Sequence, residues 1–244
     1  MRWLHGLEQP RLRVAPIVYF FVQVYSPAKG KSFSVGAFAL TRKGEPMIER
    51  ALISVYDKTG LERLVEALNG YGVEIISSGG TARRIREIGY GRLVEVSSYT
   101  GHPESPGGLV KTLHPRVHGG ILLDRSRPDH RRWMEENGIK PIDLVVCNLY
   151  PFEKIVAGGA DLETAADNID IGGPTLTRSA AKAALLYDKV CVVTNPVQYP
   201  EVVETLKKNK GELTTELRRR YAQAAFKRTA AYDSAIVTYL EENL

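Results

Sequence analysis

The densest chemistry in the chain lies in Val110-Lys111-Thr112-Leu113-His114-Pro115, where an ammonium, a hydroxyl and an imidazole precede a proline. Pro106-Gly107-Gly108 stands just before it and breaks any helix or strand. These side chains are therefore expected on a loop, where sites are usually built. Three further clusters, Asp57-Lys58, Ser78-Gly79-Gly80-Thr81 and Asn148-Leu149-Tyr150, each follow a stretch that reads as a strand. Ser78-Gly79-Gly80-Thr81 also opens a stretch that reads as a helix. Its glycines let backbone N–H groups approach an anion, and a helix N-terminus adds partial positive charge. Lys58 can add a full charge, so a phosphate is the natural ligand. The plainer reading is a tight turn with a Thr cap. Lys111, Tyr150, Asp170 and Lys182 form a second group. Two ammonium groups and a phenol can stabilise charge developing on an oxygen and relay protons. Asp170 can orient an amine or hold a lysine charged. The grouping requires the loops to converge. His114 and His118 are four apart, but no third ligand is evident, so no metal is assigned.

The elements that must position these groups follow a repeating pattern. Arg50 to Val55 reads as a buried strand, and Thr59-Gly60-Leu61-Glu62 offers a capping box for a helix through Leu61, Leu64, Val65 and Leu68. Val73 to Ser77 is a strand, followed by a helix through Ile85 and Ile88. Leu93 to Val96 is a short strand. Residues 97–127 read as one long irregular segment, and a loop of that length is usually functional. A helix over Asp129 to Asn137 leads to Ile142 to Leu149, the most apolar strand and the expected centre of the sheet. Asp161 to Asn168 is helical, and Pro174 is placed to open a helix that carries Arg178 and Lys182 on one face. Lys189 to Thr194 is a strand, and helices at about 197–209 and 213–241 complete the domain. Alternating strands and helices predict an α/β fold, three-layer α/β/α, with a mostly parallel, doubly wound sheet.

The composition is that of a globular protein. The net charge of +5 arises from 33 basic and 28 acidic residues spread along the chain. That mild excess suits an anionic small molecule, and no aromatic-interleaved basic motif of RNA-binding modules occurs, so nucleic acid is not an expected partner. Cys147 and Cys191 lie in apolar runs without C-x-x-C spacing, which predicts buried thiols and a cytoplasmic protein. The apolar run Val14 to Tyr25 is too short to span a membrane. Residues 1–46 do not share the pattern that begins at Met47. They are expected to be a poorly ordered N-terminal extension, or a product of start-codon choice, leaving 47–244 as the domain.

From about residue 47 to the C-terminus the chain resembles the IMP cyclohydrolase domain of the bifunctional purine biosynthesis proteins. The resemblance rests on Ser54-Val55-Tyr56-Asp57-Lys58-Thr59-Gly60, Ser78-Gly79-Gly80-Thr81-Ala82, Val110 to Pro115, Asn148-Leu149-Tyr150-Pro151-Phe152, Ile169-Asp170-Ile171-Gly172-Gly173 and Ala180-Ala181-Lys182, in the family's order. Ala230-Ala231-Tyr232-Asp233 fits as well. The resemblance implies a methylglyoxal-synthase-like fold and dehydrative ring closure of 5-formamidoimidazole-4-carboxamide ribotide to IMP. It implies catalytic roles for Lys111, Tyr150, Asp170 and Lys182. The substrate contacts it implies are Tyr56, Asp57, Lys58, Ser78, Gly79, Gly80, Thr81, Thr112, Cys147, Asn148, Ile171 and Gly172. No cofactor or metal is required. The implied partners are the phosphorylated ribotide, IMP and a separate formyl-transferring enzyme upstream, and a homodimer is compatible.

Three positions depart from the family pattern. Leu109 replaces an Arg, with Arg116 as the candidate substitute; Tyr56 replaces a Ser, and Ala183 an Asn. The family usually continues into a formyltransferase domain, so a stand-alone cyclohydrolase is expected. Two rivals share the fold. Methylglyoxal synthase also holds a phosphate in a Gly-Gly-Thr loop, but Asn148 to Phe152 stands where its own signature is expected. A nucleotide-sensing module, like the regulatory domain of carbamoyl phosphate synthetase, needs the phosphate loop without Lys111, Tyr150 and Lys182 together.

Overall fold

The computed structural model describes residues 22–26, 31–35 and 47–244. The chain divides into two units, Met1–Glu45 and Pro46–Leu244. In the first, β1 (Val22–Ser26) pairs antiparallel with β2 (Lys31–Val35), Val22 opposite Val35 and Ser26 opposite Lys31. The expected poor order of 1–46, and most of the Val14 to Tyr25 run, lie outside the described residues.

The second unit runs β3 (Arg50–Val55), α1 (Leu61–Gly70), β4 (Glu74–Ser77), α2 (Gly79–Glu87), β5 (Leu93–Glu95) and α3 (Val96–Thr100). There follow α4 (Pro115–Leu122), α5 (Pro128–Glu136), β6 (Leu144–Asn148), α6 (Phe152–Ala157), α7 (Leu162–Asp167) and α8 (Gly172–Tyr187). Then come β7 (Cys191–Val193), α9 (Tyr199–Lys208) and α10 (Thr215–Asn243). The five strands β3 to β7 form one parallel sheet in the order β5-β4-β3-β6-β7.

Side-chain alternation along the strands divides the core between two faces. Ala51, Ile53 and Val55 join Leu64 and Leu68 of α1 and Val202 and Leu206 of α9 on one face. Leu52, Val145 and Cys147 join Ile121 of α4, Leu176 and Ala180 of α8 and Ala225 and Tyr232 of α10 on the other. This is the doubly wound α/β/α sandwich. Helix α10 packs on α8 and β7, and α9 on α1, so the C-terminal helices belong to the same domain. Both cysteines are buried on strands and unpaired.

The chain leaves β3 for one face through α1 and leaves the neighbouring strand β6 for the other through α8. The crevice between two connections that diverge in this way lies above the carboxyl ends of those strands. That is where Tyr56 to Lys58 and Asn148 to Tyr150 emerge.

Several expectations need correction. The centre of the sheet is β3, with β6 beside it; both are buried on two faces, so apolar content alone could not rank them. The capping box does not form. Gly60 is the N-cap in a left-handed conformation without a side-chain bond, and Thr59 N–H instead donates to Asp57 Oδ1 at 2.9 Å. Glu62 is drawn away to Arg84, whose Nε donates to it at 3.0 Å. Residues 97–127 contain helical pieces, among them most of α3 and all of α4. His114 caps α4 by accepting the Arg116 N–H on Nδ1 at 3.1 Å, with Pro115 in its first turn.

At the opposite end of the sheet Asp143 ties β3 to β6. Its buried carboxylate accepts the N–H groups of Glu49 and Arg50, each at 2.9 Å, and pairs with Arg125. Removing it strands two amides and a guanidinium. Asp143→Ala should lower the unfolding free energy by about 3 kcal/mol in urea titration. A loss under about 1 kcal/mol would mean that water replaces the carboxylate there.

Candidate active site

A pocket of about 320 Å³ opens above the carboxyl ends of β3, β4 and β6. Its floor is the start of α2. Ser78 is the N-cap, in extended conformation with no side-chain capping bond, so among the described residues no cap occupies the first amides of the helix. The Ser78 hydroxyl is itself buried and unpartnered among the described residues. Thr81, expected as a cap, does other work: its hydroxyl donates to Val55 O at 3.0 Å and accepts Val55 N–H at 3.1 Å, which pins α2 to the end of β3. Gly80 and Lys58 adjoin, with Lys58 Nζ 3.9 Å from the position a Gly80 Cβ would take. Lys58 Nζ also donates to Tyr56 O at 3.1 Å. A helix N-terminus, a lysine and an orphaned hydroxyl thus converge on one spot, which fits a phosphate-sized anion.

The opposite wall comes from β6 and the turn into α8. Asn148 braces the loop after β3: its Oδ1 accepts Tyr56 N–H at 2.7 Å and Asp57 N–H at 2.9 Å, and its Nδ2 donates to Asp57 O at 2.8 Å. The Tyr56 and Tyr150 rings meet edge to face, centroids 5.5 Å apart, at the mouth. Asp170 accepts Gly173 N–H at 2.8 Å on Oδ1 and Tyr150 N–H at 3.4 Å on Oδ2. Its own N–H donates to the buried Tyr232 hydroxyl at 2.8 Å. Gly173 must be glycine, because a Cβ would stand 2.3 Å from Asp170 Oδ2 and 2.7 Å from Leu149 Cδ2. Thr112 approaches Gly172 in the same way, its Oγ1 3.0 Å from the position of a Cβ. Cys147 lies beneath, donating to Gly173 O at 3.7 Å, its thiol pushed up to about 12 by burial.

Burial raises the Asp170 carboxyl above its ordinary value, against the Gly173 and Tyr150 amides and the Lys111 charge, which lower it. Burial also raises the Tyr150 phenol, and the negative charge of Asp170 adds to that. Both shifts favour the neutral forms, and a carboxyl and a phenol perturbed by burial face one cavity. Perturbed titratable groups gathered in a cleft mark a candidate site.

Of the residues singled out from the sequence, Tyr56, Lys58, Ser78, Gly80, Thr81, Lys111, Thr112, Cys147, Asn148, Tyr150, Asp170, Ile171 and Gly172 all line this pocket. Gly79 lies beside it, 3.4 Å separating Lys111 Nζ from the place of its absent Cβ. Asp57 lines an adjoining groove, its carboxylate engaged by Thr59. Lys182 is not in the pocket of this chain. It lies exposed on α8 and lines a different groove with Arg178, Leu186 and Phe226. Arg116 does not stand in for the Arg absent at position 109. Its Nη1 is held by the carbonyl oxygens of Thr100 and Tyr99, at 3.2 and 3.5 Å. Leu109 is 73% exposed on the pocket rim. Ser54, Gly107, Gly108 and Gly173 also line it, residues whose types carry no chemistry that marks them in the sequence. Gly107 and Gly108 were visible as a chain break, but not as a wall.

The chain matches known proteins along most of its length. A family model described as MGS-like domain covers residues 60–175, and one described as AICARFT/IMPCHase bienzyme covers 180–244. The bifunctional purine biosynthesis protein PurH of Chelativorans sp. (strain BNC1) is 50% identical over 197 residues, 81% of this chain and 36% of the relative. The PurH protein of Magnetococcus marinus is 51% identical over 194 residues, 79% of this chain and 36% of that protein. This chain therefore spans little more than a third of those relatives. The crystal structure of ForH superposes with a TM-score of 0.67 at 31% identity, covering 79% of this chain and 99% of that one. On these matches the chain belongs to the family of the IMP cyclohydrolase domain of the bifunctional purine biosynthesis proteins, built on the methylglyoxal-synthase-like fold.

Proposed function

We propose that residues 47–244 act as an IMP cyclohydrolase, closing the formamido ribotide to IMP with loss of water. The observation that carries this reading is that one pocket joins an anion cradle, at Ser78 to Thr81 and Lys58, to Lys111, Tyr150 and Asp170. A ribotide has that polarity: a phosphate at one end and the reacting carboxamide and formyl groups at the other.

Nucleophile and electrophile sit on the same molecule, so holding the near-attack geometry supplies much of the acceleration. The carboxamide nitrogen adds to the formyl carbon. Asp170 takes a proton from that nitrogen, while Lys111 and Tyr150 stabilise and then protonate the formyl oxygen. Loss of the formamido nitrogen's proton and of the hydroxyl then releases water and forms the C=N bond of the ring. The substrate is already formylated, so a formyl-transferring activity must precede this one. We place the reaction in the cytoplasm, in keeping with two unpaired buried thiols. Among the described residues no helix is long and apolar enough to cross a membrane.

Lys111→Ala and Asp170→Asn should each lower kcat by about 10²–10⁴-fold with IMP binding retained. The wild-type rate should fall on the acid side as Asp170 takes up a proton, above the usual carboxylate range because burial raises its pKa. Asp170→Asn should erase that limb. A loss confined to KM, or an acid limb intact in Asp170→Asn, would remove these residues from the chemistry.

We propose further that Lys182 enters the site from a second copy of the chain. Its exposed position on α8, beside Leu185 and Leu186 at 52% and 58% exposure, supports a homodimer in which it crosses to the partner's pocket. Mixing inactive Lys111→Ala with inactive Lys182→Ala should then restore about a quarter of wild-type activity, because half the dimers would hold one intact site. No recovery on mixing would exclude the shared site.

A further inference from the structure

Lys111 is a wall shared by two cavities. One is the pocket just described; the other, of about 230 Å³, is lined by His102, Glu104, Leu113 and His114 among others. Glu104 is the ion-pair partner of Lys111, with Oε1 3.6 Å from Nζ. That is longer than a hydrogen bond, so the pair is loose. Gly108 is what lets the two meet. A Cβ there would stand 2.8 Å from Glu104 Oε1 and 3.2 Å from Lys111 Nζ, at a φ of +69° that favours glycine. On its other side the same ammonium is 3.4 Å from the place of a Gly79 Cβ, at the first residue of α2. Lys111 therefore stands between a carboxylate and the loop where the phosphate is expected.

We propose that Glu104 is a positioning residue that keeps Lys111 from collapsing onto the bound phosphate, and so keeps it available to the reacting end of the ribotide. The proposal rests on the cyclohydrolase reading of the pocket. A flexible ammonium beside a multiply charged phosphate is drawn into contact with it. A lysine neutralised in that way is lost to the formyl oxygen. A carboxylate on the far side balances the pull. It also repels the phosphate, so Glu104 weakens ligand binding while it preserves turnover. A residue with a merely structural role would support both.

The test compares wild type with Glu104→Gln, Glu104→Asp, Lys111→Met and the Glu104→Gln/Lys111→Met double variant. Calorimetry gives the affinity for inorganic phosphate and for IMP, and steady-state kinetics separate kcat from KM. Glu104→Gln should bind both ligands about three- to tenfold more tightly, with kcat lowered about tenfold and KM lowered too. Glu104→Asp should return both quantities toward wild type. Against Lys111→Met, the affinity gained through Glu104→Gln should shrink to under about twofold. Unchanged or weaker phosphate binding in Glu104→Gln would overturn the proposal. So would a gain that persists in full without Lys111. The phosphate measurement needs no turnover. If the wild-type chain forms no IMP, the proposed activity fails, and the affinities still decide the role of Glu104.

Discussion

The site depends on how one half-buried carboxylate is held. Asp170 accepts amides from Gly173, at the start of α8, and from Tyr150, in the loop after β6, and its own N–H is held by Tyr232 of α10. The loop after β6, the start of α8 and the middle of α10 are thereby fixed around one residue. Burial of that carboxylate is unfavourable, and the two amides offset part of the cost. The cost has a use: a carboxylate short of solvent is a better base than one in water. The absent Cβ of Gly173 is part of the same arrangement, because a methyl group there would occupy the space of the carboxylate.

The sheet supplies the rest. Diverging connections from β3 and β6 open a crevice, and α2 aims its amino end into it from the neighbouring strand β4. Charge is therefore placed by a helix terminus and Lys58 at one end of the pocket and by Asp170 at the other. Asn148 locks the two halves of the crevice by binding the amides of Tyr56 and Asp57 across the strands. Such bracing keeps a site rigid without placing a side chain in the ligand's path.

Much of this could be read from the chain. Strand and helix alternation is a local signal, and it located the strands of the parallel sheet and the loops that carry the polar clusters. The Ser78 to Thr81 turn was recognisable because its glycines and the following helix are contiguous. Signals that depend on distant partners were not readable. Thr59 and Glu62 have capping-box spacing, but Asp57 and Arg84 compete for them. Arg116 is close in sequence to Leu109, yet the carbonyls of Tyr99 and Thr100 hold it away from the pocket. Lys182 has the residue type and motif expected of the site, but the turns of α8 that separate it from Gly172 carry it to another surface. Tyr232 was visible as part of a motif, and only the packing of α10 shows that it holds the Asp170 backbone.

The central claim is that this pocket makes IMP and does not merely bind it. The most direct measurement mixes the purified chain with 5-formamidoimidazole-4-carboxamide ribotide and follows the ultraviolet spectrum, with the product identified by chromatography. The account predicts catalytic conversion to IMP, one product per ribotide consumed, over many turnovers without added metal or cofactor. Saturable binding of IMP with no conversion of the ribotide would contradict it, and would make the pocket a nucleotide sensor with an exposed Leu109 on its rim.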